Sequence, residues 1–188
     1  MKLNQKLFKE KMKGIASNLK SINHTDNTAL DFFTLLPTSG NAATKKIQVE
    51  EFLKKQRSKL QLPHMLVEQY DSDYINNDGD NMQKQYNCAF IILDKFSVAT
   101  TGTTLEEVQQ KTEDIADDII SFINEEYIYQ MQQGNLDKCL LIDFDKTTGE
   151  NIGPIGDLYG TRINLVFTYP YQDQLQYHPS KWINPLYN

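Results

Sequence analysis

The sequence predicts an α+β fold in which a mostly antiparallel sheet of about four strands carries one long amphipathic helix. Apolar residues recur at helical spacing over residues 104–128. Four short segments with strand character flank this helix in the order β-β-α-β-β. This order, with a single long helix, favours an antiparallel sheet that packs the helix on one face. N-terminal helices and an extended C-terminal arm complete the predicted architecture.

The first 61 residues are predicted to be a helical region. Apolar residues recur every three to five positions over 2–22, and lysines fill the opposite side of that helix. An apolar stretch at 29–36 follows. A second helix is predicted over 44–61, and Pro63 stops it because proline cannot continue a helix.

Residues 62–170 are predicted to form the α+β core domain. The polar segment 71–85 is long for a hairpin connection, so we expect a mobile loop there. The glycine-rich segment 147–160 is expected to be a turn-rich connection. The predicted strands cover 64–70, 86–98, 138–145 and 161–169. In the last of these, alternation places Ile163, Leu165 and Phe167 on one face.

The start of the long helix carries a capping pattern. Thr103 and Thr104 precede Glu106 and Glu107 at the spacing of a capping box, in which side chains satisfy the first free N–H groups of a helix. Gly134 lies just beyond the far end, where glycine commonly terminates helices. These features make this helix the best-defined predicted element.

The net charge of −6 conceals a segregation of charge along the chain. Residues 1–20 sum to +5 and residues 45–59 to +4, whereas residues 104–126 sum to −7. Opposite charges sorted in this way steer association and fix register between subunits, although solvated helix faces have the same pattern. The interface residues predicted on this basis are Lys9, Lys13, Lys54, Arg57, Glu113 and Asp117, with Arg162 on the last strand.

Residues 171–188 are predicted to form an extended arm rich in aromatic residues. Tyr171, Tyr177 and Trp182 are candidate interface anchors, because Tyr and Trp dominate the energetics of many interfaces. The sequence leaves open whether the arm packs on its own domain or on a neighbouring subunit.

Cys88 and Cys139 each lie in an apolar run, which is typical of buried free thiols in a reducing compartment. A disulfide between them requires that their strands be neighbours. No apolar run approaches the roughly 20 residues of a membrane span. No apolar core of a signal peptide is present near Met1. The sequence therefore predicts no membrane association.

One motif has the form of a catalytic site. The apolar run before Asp143 and Asp145 resembles the opening strand of haloacid dehalogenase-like phosphatases. That resemblance implies a nucleophile at Asp143, an acid/base at Asp145 and a metal ion. After Thr147, however, the sequence has one lysine and a single further strand, so we interpret Asp143 as an outward strand residue and Asp145 as a turn former.

Two further motifs are incomplete. Residues 71–80 crowd four aspartates, but no register supplies the Gly and Glu of a calcium loop. Residues 40–46 lack the second glycine of a phosphate-binding loop. We therefore predict no cofactor, no metal site and no enzymatic activity. Phe8 and Phe52 are the only aromatics of the basic stretches, so the sequence offers no stacking platform for a nucleic acid.

The element order over residues 62–170, with an acidic amphipathic helix and a final strand TRINLVFTY, resembles the tail-terminator and head–tail connector proteins of tailed phages. These are small α+β proteins that assemble into rings at the neck or tail and have no catalytic residues. The resemblance implies self-association and contacts with other neck or tail proteins. It also implies that the protein assembles in the host cytoplasm and is located in the virion. Under this hypothesis the protein contacts nucleic acid only as DNA that passes through the lumen of the ring. A bias toward Lys, Asn, Ile and Tyr is compatible with an AT-rich phage genome.

The leading hypothesis is therefore a non-enzymatic virion structural protein that forms a homo-oligomeric ring at the head–tail junction or tail end. Two alternatives stay open. One is a monomeric or dimeric adaptor or chaperone-like binding module that grips its partner with the lysine-rich helices. The other is a metal-dependent phosphatase-like enzyme that uses Asp143 and Asp145.

Overall fold

The structure, a computed structural model, confirms the α+β fold. It describes residues 5–25, 33–36, 42–56, 60–76, 82–96, 104–135 and 140–170. The described elements, in chain order, are α1 (Gln5–Asn18), β1 (Phe33–Leu36), α2 (Ala42–Gln56), β2 (His64–Asn76), β3 (Met82–Lys95), α3 (Leu105–Gln132), β4 (Thr148–Ile155) and β5 (Leu158–Pro170).

The described strands form one sheet in the order β1-β2-β3-β5-β4. Four of them, β2, β3, β5 and β4, pair antiparallel, which agrees with the predicted sheet. β1 adds a short parallel strand beside β2, with Phe33 opposite Met65. β5 therefore lies inside the sheet, between β3 and β4, although it is the last of the described strands in sequence.

The larger core lies between one face of the sheet and helices α1 and α3. From the helices, Phe8 and Met12 of α1 and Ile119 and Ile123 of α3 are completely buried. From the sheet, alternate residues of β3 and β5 face these helices: Cys88, Phe90, Ile92, Ile163, Leu165 and Phe167. This confirms the predicted inward face of the last strand.

A smaller core covers the opposite face of the sheet. Val49 and Leu53 of α2 pack with sheet residues there, which are Leu66, Ile91, Leu93, Ile155 and Leu158. Because β-strand side chains alternate between faces, these neighbours belong to the face that α1 and α3 leave open. Helices α2 and α3 therefore lie on opposite faces of the sheet.

The predicted long helix is confirmed, and its capping box is complete. The Glu107 amide donates to Thr104 Oγ1 at 3.2 Å, and the Thr104 amide donates to Glu107 Oε2 at 2.7 Å. The helix continues to Gln132. Gly134 follows at φ 69°, a left-handed conformation that glycine adopts without a steric penalty.

The predicted strand over 138–145 is wrong for its described part. Ile142 makes a single β-bridge with Phe167, and a turn follows at residues 144–146. Leu140 and Ile142 are buried, so the apolar run reflects core packing of an irregular segment. The strand lies instead at β4, within the segment predicted to be turn-rich. β4 is exposed along most of its length, so it lacks the apolar alternation that marks a strand in sequence.

The predicted loop over 71–85 is also too long. β2 continues to Asn76 and β3 begins at Met82, so the two strands form a hairpin that extends well beyond the predicted ends. Asp71, Asp73 and Tyr74 in this extension are exposed, so neither side of it shows an apolar pattern.

The N-terminal region is partly as predicted. α1 lies within predicted helix 2–22, α2 overlaps predicted helix 44–61, and the apolar stretch at 29–36 contains β1. α1 and β1 share the core and the sheet of the later elements. The domain division at residue 61 stays a prediction, and the predicted arm, 171–188, lies outside the described residues.

Candidate interaction surfaces

Helix α3 turns a strongly acidic face away from the sheet. Phe122 and Tyr129 are 48% and 59% exposed and lie on one side of the helix, because residues seven positions apart share a side. We define the acidic face of α3 as these two aromatics together with the exposed carboxylates of Glu113, Asp114, Asp117, Asp118 and Glu125. The predicted interface residues Glu113 and Asp117 therefore lie where a partner can reach them.

Helix α2 presents a face with exposed lysines on the other side of the sheet. Ile47 is 57% exposed, and Lys54, seven positions later, lies on the same side of the helix. We define the basic face of α2 as Ile47, Lys54 and Lys55; the exposed Glu51 lies among them and reduces the net positive charge of this face. Lys54 Nζ lies 4.0 Å from Glu50 Oε2 on the solvated surface, and such a pair contributes little. The predicted interface residue Arg57 lies outside the described residues.

The lysines of α1 differ from those of α2 because one of them pairs with the acidic helix of the same chain. Lys9 is exposed and Lys13 is half-buried. Lys11 Nζ lies 2.7 Å from Glu126 Oε1, and this contact joins α1 to α3 within one chain. Part of the predicted attraction between residues 2–20 and the acidic helix is therefore satisfied inside the subunit. This leaves the basic face of α2, which cannot reach α3 of its own chain, as the better candidate for contact with a neighbour.

Arg162, another predicted interface residue, is held by two carboxylates. Its Nη2 lies 3.0 Å from Glu68 Oε1, and its Nη1 lies 3.0 Å from Glu150 Oε1. The Glu68 side chain is 4% exposed, so this pair crosses β3 in a nearly water-free position. Glu68 was not among the residues predicted from the sequence. The signal that could have identified Glu68 is its charge at a buried position that directly follows the apolar run in the first half of β2.

The Arg162 pair borders a cavity of about 140 Å³ beneath α2. Val49 and Glu50 of α2 form one side, and the β4 residues Ile152 and Pro154 are among those that form the other. The lining of this cavity includes carboxylates and apolar side chains. Both η nitrogens of Arg162 are already paired with the carboxylates of Glu68 and Glu150. The arrangement stabilises the packing of α2 and β4 on the sheet.

Asp143 and Asp145 lie in and beside the turn that precedes β4. Asp143 Oδ2 lies 3.1 Å from Lys146 Nζ and accepts a hydrogen bond from Thr168 Oγ1 at 3.2 Å. Its backbone carbonyl accepts from the Thr147 hydroxyl at 2.9 Å. Asp145 is exposed in the turn, as interpreted from the sequence. The phosphatase resemblance places these residues after a strand of a parallel sheet, whereas the observed neighbours are antiparallel.

No group of three or more His, Cys, Asp or Glu side chains is arranged to hold a metal ion in the described part of the chain. Among the described helices, none combines the length and the apolar character needed to cross a bilayer.

His64 is a buried histidine that sequence reasoning did not single out. Its side chain is completely buried, and neither ring nitrogen has a hydrogen-bond partner within the described residues. Burial, together with the nearby His24, lowers the pKa of His64 to about 4. The imidazole is therefore neutral, because a charged ring would lose its hydration when buried.

Cys88 is buried and free, with its Sγ 3.7 Å from the Leu165 carbonyl oxygen. Burial raises the pKa of its thiol, which suppresses the reactive thiolate. Cys139 and the predicted anchors Tyr171, Tyr177 and Trp182 lie outside the described residues.

A groove lies between α3 and the edge strand β4. Its cavity measures about 460 Å³. Ile120 and Ile163 supply apolar wall area, and Phe144, 54% exposed, lies on the rim. Glu113 and Asp117 border it on the α3 side. The groove therefore adjoins the acidic face of α3.

Comparisons with models of protein families, with curated proteins and with solved structures give no match. Three surfaces of the described chain are candidates for contact with a partner: the acidic face of α3, the basic face of α2 and the groove beside β4.

Proposed function

We propose that the chain is a non-enzymatic virion structural protein that forms a homo-oligomeric ring at the head–tail junction or tail end of a tailed phage. The observation that supports this proposal is the placement of the acidic face of α3 and the basic face of α2 on opposite faces of one sheet. Each surface also carries a large exposed apolar residue, Phe122 on α3 and Ile47 on α2.

Two complementary surfaces on opposite sides of a subunit favour head-to-tail contacts. Such a contact joins unlike surfaces, so each added subunit leaves a new copy of both surfaces exposed. When the rotation between neighbours closes, the product is a ring. Lys54 of one copy would meet carboxylates such as Asp118 of the next, while Ile47 and Phe122 bury apolar area. The element order that resembles ring-forming phage proteins supports the same assembly.

Reciprocal charge reversal tests the contact. We expect Asp118→Lys and Lys54→Glu each to weaken association about ten-fold, the effect of about 1.4 kcal/mol, because each places like charges opposite one another. The double variant restores opposite charges and should recover the wild-type oligomer. Sedimentation velocity at low salt measures the oligomer, and electron micrographs show whether it is closed.

Asp73→Lys is the matched control, because Asp73 is exposed near the end of the β2–β3 hairpin and belongs to neither surface. Its oligomer should match the wild type. A wild-type protein that stays monomeric or dimeric at every concentration contradicts the ring and favours the adaptor alternative. Single variants that weaken assembly without rescue in the double variant contradict the pairing of α2 with α3.

A further inference from the structure

The outer edge of β4 is an unpaired strand edge within the described part of the chain. β4 pairs with β5 on its inner side, and no described strand lies on its other side. Pro154 lacks an N–H group, so the usable edge runs from Thr148 to Ile152. Exposed edges of this kind accept an additional strand from another chain.

The side of β4 that faces the groove carries Gly149 and Asn151. Gly149 pairs with Ile163 and Asn151 with Thr161, so both face the α3 side of the sheet. Gly149 has no side chain, and a Cβ there would lie 3.2 Å from Ile163 Cδ1. A larger residue at position 149 would press on Ile163, so glycine lets the strand edge lie close to this side chain, and the exposed Phe144 lies on the rim of the same groove.

The sequence after β5 has the pattern that such an edge recognises. Tyr171, Leu175 and Tyr177 alternate with Gln172, Gln174 and Gln176, and only Asp173 interrupts the apolar row. A strand added to a sheet edge places alternate side chains into adjoining pockets, while its backbone pairs with the edge. The apolar side chains in this row match the apolar part of the groove, which is formed by Ile120, Phe144 and Ile163; most of the other lining residues are polar or acidic.

The position of Pro170 favours a neighbouring copy as the source. The β4–β5 pairing extends no further than Asn164, and Pro170 pairs with Gln83 of β3, six residues farther along β5. Six residues of strand span about 20 Å, so Pro170, the last described residue, lies well away from the groove of its own chain. Residues 171–177 follow Pro170 directly and span about 23 Å when extended, so they reach a β4 edge that a neighbouring copy presents beside the end of β5.

We propose that residues 171–177 of a neighbouring copy add to the Thr148–Ile152 edge of β4 and place aromatic side chains in the groove against Phe144 and Ile163. This inference rests on the proposed ring. It assigns the arm a docking site on the next subunit, beside the acidic face of α3.

Disulfide trapping between two full-length variants tests the docking. One variant carries Asn151→Cys and the other carries Leu175→Cys, and both carry Cys139→Ser; the two chains differ in tag length. After mixing and mild oxidation, we expect a cross-linked product that contains one chain of each kind. A matched control replaces Asn151→Cys with Ser17→Cys, an exposed site on α1, and should give at least ten-fold less of this product.

The outcomes separate the two proposals. An oligomeric mixture without the mixed cross-link overturns the docking site and leaves the ring intact. A chain that carries both cysteines and cross-links only within itself also overturns it, because the arm then docks on its own subunit. A mixture that is monomeric before oxidation overturns the ring, and the docking proposal with it.

Discussion

At the scale of single residues, the ion pair between Arg162 and Glu68 is the most consequential polar contact of the sheet. Arg162→Met leaves the Glu68 carboxylate buried without its partner, and such a change costs about 3–5 kcal/mol. We expect a loss of this size in the free energy of unfolding, measured by urea denaturation.

Glu150→Gln supplies the matched control, because Glu150 binds the same guanidinium from a side chain that is 52% exposed. Its loss should cost less than about 1 kcal/mol. The double variant Glu68→Met with Arg162→Met should recover most of the lost stability, since no unpaired charge remains. Equal losses for Arg162→Met and Glu150→Gln would contradict a burial-dependent role.

The buried imidazole of His64 makes stability depend on pH in a definite direction. Its pKa is about 4 in the folded protein and about 6.5 in an unfolded chain, so between these values the unfolded state binds a proton that the folded state does not. Stability is therefore fully present above pH 6.5 and falls as the pH decreases toward 4, by about 3 kcal/mol.

His64→Leu removes this titration, and its free energy of unfolding should vary less between pH 6.5 and 4 than that of the wild type. Chemical denaturation at several pH values gives the comparison. His178→Gln, a substitution outside the described residues, serves as the control. A wild-type slope in His64→Leu would assign the pH dependence to another group.

Single residues explain part of what the sequence could and could not predict. Glu113 and Asp117 were predicted as accessible because charge on a helical stripe implies exposure. Arg162 was predicted at an interface, yet it binds Glu68 and Glu150, because the spatial neighbour of a strand residue depends on sheet order. His64 went unnoticed, since one histidine in an apolar strand carries no pattern.

At the scale of elements, α3 was predicted most accurately because two independent features agree. Its apolar stripe fixes the buried side, and the capping box at Thr104 fixes the start. β4 was missed because Gly149, Gly153 and Pro154 are typical of turns and the strand is exposed. The apolar segment ending in Ile142 was mistaken for a strand, since burial alone produces the same composition.

The capping box gives a prediction at this scale. Thr104→Ala removes the side chain that accepts from the Glu107 amide and should lower the free energy of unfolding by about 1 kcal/mol. Thermal or urea unfolding measures the change. Ser121→Ala, at an exposed position inside the same helix, should leave stability unchanged or slightly higher. Equal destabilisation by both variants would contradict a specific role for the cap.

At the scale of the whole molecule, α1 joins the core of the sheet domain. The Phe8 ring lies 5.7 Å from the ring of Tyr70 and 6.3 Å from that of Phe167. We therefore expect residues 1–61 to unfold together with the sheet, in one transition seen identically by circular dichroism and by intrinsic fluorescence.

Phe8→Ala should lower the free energy of unfolding by about 3–5 kcal/mol, because it opens a cavity between α1 and β5. Ser17→Ala, an exposed change on the same helix, should have little effect. Two separate transitions in the wild type would contradict a shared core and would support a division of the chain at residue 61.

The interior position of β5 has a consequence for biosynthesis. Until β5 has been translated, β3 lacks its second neighbour and the apolar side of α1 lacks Phe167. A nascent chain that ends before residue 158 therefore exposes a long strand edge and an uncovered helix surface. Such surfaces invite aggregation, and contacts distant in sequence slow folding. The period before β5 emerges from the ribosome is therefore the stage at which the growing chain lacks these contacts.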